Sequence, residues 1–221
     1  MPSVTDPDKP HMAVDGLYGG PYVAYVEYGP SPGAAKKINF SKFDSVNIRM
    51  TDPITLSPPV SQGSLWRFQG PNVAIGSQGY VYVAWAVLDS GFYDNINNVI
   101  RHERGIGFAR LTNSGTTLDS RLDTIPGLGV RGILGPLKWS RINVNSFPSM
   151  AVDRSGFPGN IYIVWADRRS LDGSPDIYLT RSRDRGTTWD SPVRVNDSRA
   201  ATDQWMPWVT VDPNGYVHVV Y

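Results

Sequence analysis

The sequence predicts an all-β fold, a propeller of four-stranded antiparallel blades, and three observations support this prediction. First, one pattern of strand, turn and strand recurs in four segments, which begin at Pro10, Pro71, Pro148 and Pro207. Second, the 221 residues include 22 glycines and 18 prolines, which is typical of many short strands joined by tight turns. Third, no apolar pattern of helical period continues for more than a turn. A sandwich has no reason to repeat itself at this length, whereas a propeller does.

Each of the four segments supplies the first two strands of a blade. The second strand is apolar on both faces, as in YVYVAWAV at residues 80–87, so it should be buried on both sides. The predicted third strands, which alternate apolar and polar residues, are Ser45–Thr51, Gly105–Leu111 and Asp176–Ser182. The predicted fourth strands are Lys138–Asn145 and Ser191–Asn196.

The octapeptide SRDRGTTW, Ser182–Trp189, joins the third and fourth strands of the third blade. The Asp184 carboxylate can accept backbone N–H bonds within the turn, and Gly186 can supply a positive φ. We therefore predict that Trp189 packs beneath the hairpin; the alternative is a surface indole that stacks on a sugar. A degraded copy, Leu111–Leu118, follows the third strand of the second blade.

The octapeptide resembles the Asp box, S-x-D-x-G-x-T-W, of the sialidase-like (bacterial neuraminidase repeat) propellers. Every defined position is matched, by Ser182, Asp184, Gly186, Thr188 and Trp189. The resemblance extends over essentially the whole chain, although the first blade is faint. It implies a sialidase-like β-propeller that is secreted or at the cell surface, with the Asp box on the face away from the ligand site.

The expected organisation is a single propeller domain or fragment over residues 1–221, with three full blades and part of a fourth. The blades span about residues 10–60, 71–145 and 148–196, and the partial fourth blade spans about residues 207–221. Related sialidases have six blades, so we expect a partial propeller. Open sheet edges would then favour self-association, or further propeller in a parent chain.

The resemblance also implies what catalysis would require. A retaining exo-sialidase uses three arginines that clamp the substrate carboxylate, an Asp acid/base, and a Tyr nucleophile activated by Glu. The first arginine usually lies in an RIP-type motif, and this sequence has none. The nearest string, Arg141-Ile142-Asn143, belongs to a predicted fourth strand.

The predicted loops between second and third strands are Glu27–Asp44, Leu88–Arg104 and Asp167–Asp176, and they share the predicted ligand face with the links between blades. Two of these loops hold candidate catalytic residues. One of the arginines in Asp167-Arg168-Arg169 could bind a carboxylate, or an Asp–Arg ion pair could fix the loop. The run Arg101-His102-Glu103-Arg104, with Tyr93 and Asp94 in the same predicted loop, could do acid–base chemistry. The alternative for this run, with Glu103, Arg104 and Tyr93 as its candidates, is a solvated group of charges.

Two further sets of residues are candidates for binding. Asp203 and Trp205, in the link to the fourth segment, could bind a sugar, although Trp205 could instead pack between blades. Asp167, Asp172 and Asp176 could supply oxygen ligands to Ca²⁺, but their spacing fits no defined loop. No other metal site and no cofactor are expected, since the chain has no cysteine and no zinc or phosphate-binding pattern.

Charge and hydropathy exclude two classes of partner. A net charge of +1 gives no basis for nucleic-acid binding, and the longest apolar run, Tyr80 to Leu88, is too short to span a bilayer. The favoured function is a non-catalytic, extracellular propeller module that recognises a glycan or a cell-surface protein or serves as a scaffold. A sialidase-type glycoside hydrolase and a structural assembly subunit are the alternatives.

Overall fold

The computed structural model describes residues 6–17, 19–28, 37–59, 66–94, 98–133, 137, 144–156, 159–169, 173–197 and 202–221. It is built from antiparallel strands, with one 3₁₀ turn at Ser77–Gly79. The prediction of an all-β fold with three sheets of four or more strands and a fourth sheet of two is confirmed.

The first sheet has the order β1-β2-β3-β4, with β5 paired to β3; its strands are β1 Asp6–Ala13, β2 Tyr22–Tyr28, β3 Lys37–Asp44, β4 Arg49–Met50 and β5 Ile54–Thr55. The second sheet runs β6-β7-β8-β9, with β6 Trp66–Ile75, β7 Val81–Asp94, β8 Asn98–Thr112 and β9 Thr117–Leu122. The third sheet runs β10-β11-β12-β13, with β10 Ser149–Val152, β11 Ile161–Asp167, β12 Asp176–Ser182 and β13 Val193–Arg194. The fourth sheet pairs β14 Trp208–Val211 with β15 Val217–Val220.

The sheets pack face to face in chain order, and each interface is an apolar core. The second strands are buried on both faces, as predicted; every residue of β11 is buried. Trp85 on β7 fills the core between the first and second sheets, and Trp165 on β11 fills the next one. Buried aromatic rings contribute strongly to the hydrophobic stabilisation of a core, because each ring buries about 150–250 Å² of surface.

The predicted third strand of the first blade, Ser45–Thr51, is wrong. Residues 45–48 form a turn, and the third strand is β3, which lies within the segment Glu27 to Asp44 that the sequence suggested as a loop. Val46 and Ile48, the apolar residues of the predicted strand, are 86% and 80% exposed. Apolar and polar residues do alternate here, but they lie in a turn that no neighbouring sheet covers.

Two predictions for the second blade are also wrong. The fourth strand is β9, which begins at the end of the degraded octapeptide, and not Lys138–Asn145. Residues 138–143 lie outside the described residues, and residues 144 and 145 are not in a strand. The predicted loop Leu88 to Arg104 is instead a long hairpin arm, because β7 and β8 stay paired out to Asp94 and Asn98.

The octapeptide forms a closed network of hydrogen bonds. Asp184 Oδ1 accepts from the Thr188 backbone N–H at 2.8 Å, and its Oδ2 accepts from the Thr188 hydroxyl at 2.6 Å. Ser182 Oγ accepts from the Gly186 N–H at 2.8 Å, and Gly186 has φ +86°. Burial alone would raise the pKa of Asp184, but the bonds from Thr188 and Ser182 hold that pKa below its usual value.

The octapeptide also attaches the third sheet to the second. The Trp189 indole is partly buried and meets the Phe108 ring edge-on, with ring centroids 5.1 Å apart. Arg185 donates to the Tyr80 hydroxyl at 2.6 Å, and Arg110 donates to the Arg185 carbonyl at 2.9 Å. The indole therefore packs under the turn, as the structural interpretation of Trp189 predicts, and its packing partner comes from the preceding sheet.

Candidate functional site: the axial pocket

The four first strands meet around one cavity of about 560 Å³, which we call the axial pocket. β1 contacts β6, β6 contacts β10, and β10 contacts β14, so the strands follow one another around it. The four prolines that open the repeats all line the pocket, at positions 10, 71, 148 and 207. Its volume lies within the range of small-molecule sites, about 300–1,000 Å³.

The backbone before three of these prolines has an unusual conformation. Lys9, Gly70 and Met206 have φ values of +49°, +54° and +50°. A residue before proline normally favours extended backbone, and positive φ is costly for any residue except glycine. In β1 and β6 the pairing register shifts at this point, between Asp8 and His11 and between Gln69 and Asn72. We therefore treat this cavity as the candidate site, because bulges and strained backbone are concentrated at functional sites in proteins.

The residues directly after the prolines link neighbouring sheets. His11 Nδ1 accepts from the Val73 backbone N–H at 3.0 Å, and Asn72 Oδ1 accepts from the Met150 N–H at 3.1 Å. In the same way, Ser149 Oγ accepts from the Val209 N–H at 3.1 Å. Each acceptor therefore fixes the first strand of the next sheet at the pocket.

Trp208 occupies the equivalent position in the fourth repeat, and it interrupts this pattern. An indole N–H can only donate, so Trp208 cannot accept the corresponding bond. Its side chain is 52% exposed and lines the pocket, with its ring centroid 5.8 Å from that of His11. A half-exposed indole in a cavity is suited to stacking against a ligand.

His11 must be neutral in this arrangement. Nε2 lies 3.1 Å from the Asn72 amide nitrogen, while Nδ1 accepts from Val73. An imidazolium would carry a hydrogen on Nδ1 that faces the Val73 N–H, so the acceptor role of Nδ1 requires the neutral ring. Burial also lowers the pKa of His11.

We expect the free energy of unfolding to fall in mild acid because of His11. Its folded pKa lies below the unfolded value of about 6.5, so its contribution is complete above about pH 6.5 and is lost as the pH falls toward the folded pKa. Urea midpoints measured between about pH 8 and about pH 5 should show this decline. His11→Asn, which copies the acceptor used at Asn72, should flatten it.

The control for this experiment is His218→Asn, because His218 lies exposed on β15 beside Asp212. That variant should keep the acid-induced decline of the wild type. Equal declines in wild type and His11→Asn would contradict the role assigned to His11.

Asp167 and Arg169, two of the sequence candidates, form a buried network that joins the third sheet to the link before it. The Asp167 carboxylate is fully buried and accepts from the Trp165 indole at 3.1 Å and from the Arg131 backbone N–H at 3.0 Å. Arg169 donates to it through Nη2 at 2.5 Å and also donates to the Leu128 carbonyl at 2.9 Å. These contacts favour the interpretation of Asp167 and Arg169 as a structural ion pair.

Arg169 is further fixed by stacking, since its guanidinium lies 4.1 Å from the centre of the Tyr178 ring. Arg168 is partly buried, and its backbone N–H donates to the Gly132 carbonyl at 3.1 Å. Neither arginine lines the axial pocket as the described residues define it.

Glu103 is a buried carboxyl group on β8, outside the lining of the pocket. Its Oε1 accepts from the Ser146 backbone N–H at 3.0 Å. Burial raises the pKa of Glu103, against the lowering effect of that hydrogen bond. Arg104 beside it is exposed. Tyr93, Asp94, Arg101 and His102 lie in the strands of the same hairpin, and their side chains are outside those that the structure describes.

The link before β14 contributes to the pocket, but not through the residues that the sequence suggested. Trp205 and Asp203 are partly buried, and Gln204 between them donates its backbone N–H to the Pro175 carbonyl at 2.9 Å. The pocket is lined instead by Met206, Pro207 and Trp208. In the sequence, these residues stand out only because they flank the proline that opens the fourth repeat. That regular position does not by itself indicate that they bind a ligand.

The three aspartates considered for Ca²⁺ do not come together as a described cluster. Asp167 and Asp176 lie opposite each other on β11 and β12, but Asp176 accepts from the Asn196 amide at 2.8 Å and Asp167 is held as above. Asp172 lies outside the described residues. Within the described part of the chain, no group of three or more His, Asp or Glu side chains could hold a metal ion.

The described residues also include no helix long and apolar enough to cross a membrane.

Comparison with known proteins identifies the fold. The sequence matches no protein-family model and no curated protein. Among solved structures, a Hadza microbial sialidase, Hz136, superposes with a TM-score of 0.56 at 15% identity, covering 93% of this chain and 39% of the sialidase. An endo-arabinase from Bacteroides thetaiotaomicron gives a TM-score of 0.32 at 14% identity, covering 96% and 87% of the two chains.

The likeness to the sialidase shows the fold. The predicted sialidase-like propeller architecture is therefore confirmed. The chain spans about two fifths of the length of that sialidase.

Proposed function

We propose that this protein is a sialidase-like propeller module that binds a glycan in the axial pocket without hydrolysing it. The observation that carries the proposal is Trp208, an indole 52% exposed in a pocket to which all four repeats contribute. We further propose that the module acts outside the cell or at its surface, where such glycans are displayed.

The strained backbone supports the choice of this pocket. Lys9 and Met206 keep a positive φ at equivalent positions, although neither is glycine. Strain of this kind costs of order 1–3 kcal/mol per residue and persists where function benefits from the geometry. The hydrogen bonds of His11, Asn72 and Ser149 hold the pocket walls in place, so a ligand would meet a preformed site.

The absence of catalysis is proposed from the arginines. A sialidase-type reaction requires arginines that are available to a substrate carboxylate, as the resemblance implies. Arg169 is bound to Asp167 and stacked on Tyr178. No arginine is among the described residues that line the pocket.

A glycoside hydrolase is the second candidate, and two observations favour it. The fold is that of a sialidase propeller. Glu103 is a carboxyl group whose pKa is raised by burial, which is a property of general acids in glycosidases.

A turnover assay with a fluorogenic sialoside distinguishes the two candidates. We expect no release of fluorophore above the buffer rate from the purified chain. Turnover that is lost in Arg168→Ala or Arg169→Ala, with the circular dichroism spectrum unchanged, would establish the hydrolase instead.

Binding is tested separately on an array of immobilised glycans. We expect binding to at least one saccharide by the wild type and loss of that binding in Trp208→Ala. Tyr216→Ala removes an exposed aromatic from the turn between strands β14 and β15, outside the described pocket lining, so it is the matched control and should bind normally. Absence of binding across the array would contradict the proposed function.

A further inference from the structure

We propose that the axial pocket selects an uncharged saccharide over a carboxylated one. This inference rests on the proposed function and adds the chemical class of the ligand. It departs from what the sialidase resemblance implies, which is recognition of an acidic sugar. Three features of the pocket support it: the state of its cations, its apolar surface and its remaining donors.

Both basic residues among the described lining residues have a partner or a charge state that offsets their positive charge. Lys9 Nζ lies 2.5 Å from the Asp8 carboxylate, which also accepts from the Tyr28 hydroxyl at 2.9 Å. His11, the other basic residue among the described lining residues, is neutral because its Nδ1 accepts from the Val73 backbone N–H. A carboxylate that enters such a pocket loses hydration without gaining an unpaired cation.

The surface that remains for a ligand is mainly apolar. Trp208 and Met206 are more than half exposed, and the four repeat prolines lie around them. Phe147 packs over Gly70 so closely that a Cβ on Gly70 would lie 2.3 Å from its ring. This packing fixes the Phe147 ring as part of the wall. The C–H face of a neutral pyranose is complementary to an aromatic and proline surface of this kind.

The polar groups in the lining suit hydroxyl ligands. Asn145 uses Oδ1 to accept from the Phe147 backbone N–H at 3.1 Å, which leaves its amide nitrogen as a donor. Ser149 Oγ accepts from the Val209 N–H at 3.1 Å and keeps its own proton to donate. Isolated neutral donors bind sugar hydroxyls, which both donate and accept, but they do not replace the charged fork that a carboxylate prefers.

The test compares an acidic ligand with its uncharged methyl ester. Isothermal titration calorimetry, which does not depend on the Trp208 indole, is performed with the methyl glycoside of N-acetylneuraminic acid and with the methyl ester of the same glycoside. Methyl glycosides of galactose, glucose, mannose and N-acetylglucosamine complete the panel. We expect a neutral ligand to bind at least about tenfold more tightly than the free acid, a difference of about 1.4 kcal/mol.

Two variants assign the effect to the pocket. Trp208→Ala should lose binding of the neutral ligand, whereas Lys9→Gln should leave its affinity within about twofold, because the ammonium is committed to Asp8. The inference would be overturned if the acid bound as tightly as, or more tightly than, every neutral ligand. It would also be overturned if Lys9→Gln lost binding of the neutral ligand. In either case the proposed glycan recognition would stand. Binding of no ligand here, together with a silent glycan array, would overturn both.

Discussion

Gly186→Ala is expected to destabilise the protein by about 3 kcal/mol or more, since two costs add. Gly186 has φ +86°, a conformation that costs an alanine about 1–2 kcal/mol. A Cβ at this position would also lie 2.2 Å from the Phe108 ring, which is fully buried in the core between the second and third sheets. The ring cannot move aside, because Tyr82 and Trp189 pack against it. The free energy of unfolding is measured by urea denaturation.

Gly127→Ala is the matched control for this variant. Gly127 has φ +77°, but no atom lies within 4 Å of a Cβ built there. It should therefore show the backbone cost alone, about 1 kcal/mol. Equal losses in the two variants would mean that the close approach to the Phe108 ring adds no cost at Gly186.

Asp167→Ala is expected to cost about 3–5 kcal/mol, the usual effect of removing one partner from a buried ion pair. The carboxylate is fully buried, and its loss leaves the Arg169 guanidinium, the Trp165 indole N–H and the Arg131 N–H without their acceptor. Asp167→Asn keeps the shape and one acceptor oxygen, so it should lose less stability and gives a value if the alanine variant does not fold. Urea denaturation is again the measurement.

Asp190→Ala provides the comparison at the surface. Asp190 pairs with Arg181 at 3.0 Å and with Arg183 at 3.1 Å, but its side chain is 46% exposed. Exposed ion pairs contribute less than about 1 kcal/mol, so this variant should remain close to the wild type. If Asp167→Ala is as mild as Asp190→Ala, the network around Asp167 is not structural, and Arg169 would again be a candidate for ligand binding.

Local sequence patterns predicted the elements whose structure depends on local chemistry. The octapeptide folds as its Ser, Asp, Gly and Thr residues require, because all of its closing hydrogen bonds join residues at most four positions apart. The third strand of the third sheet, Asp176–Ser182, has the predicted bounds. Its neighbour β11 is apolar throughout and buried throughout, as a strand between two sheets must be.

The first sheet shows where such patterns fail. In β3, Asn39 and Ser41 are buried polar residues, and they obscured the strand in the sequence. Asn39 is satisfied by the side chains of Glu27 and Thr55, which come from other strands. Val46 and Ile48 alternate as a strand should, yet they remain in solvent. An alternation of apolar and polar residues indicates which residues could share a face of a strand. Whether that face is buried depends on which face a neighbouring sheet covers.

The sequence by itself determined the repeat, the turn chemistry and hence the all-β propeller architecture of this protein, because each depends on contacts within a few residues or within one hairpin. Only the tertiary structure decided the candidate site. His11, Asn72, Ser149 and Trp208 are about 60 or more residues apart along the chain, and they meet because four first strands converge on one cavity. Arg169 pairs with Asp167 only two residues away, but the contacts that hold this pair include the more distant Leu128 carbonyl and Arg131 N–H. A side chain's availability to a ligand is set by the partners that folding gives it, and no local pattern states which partners those are.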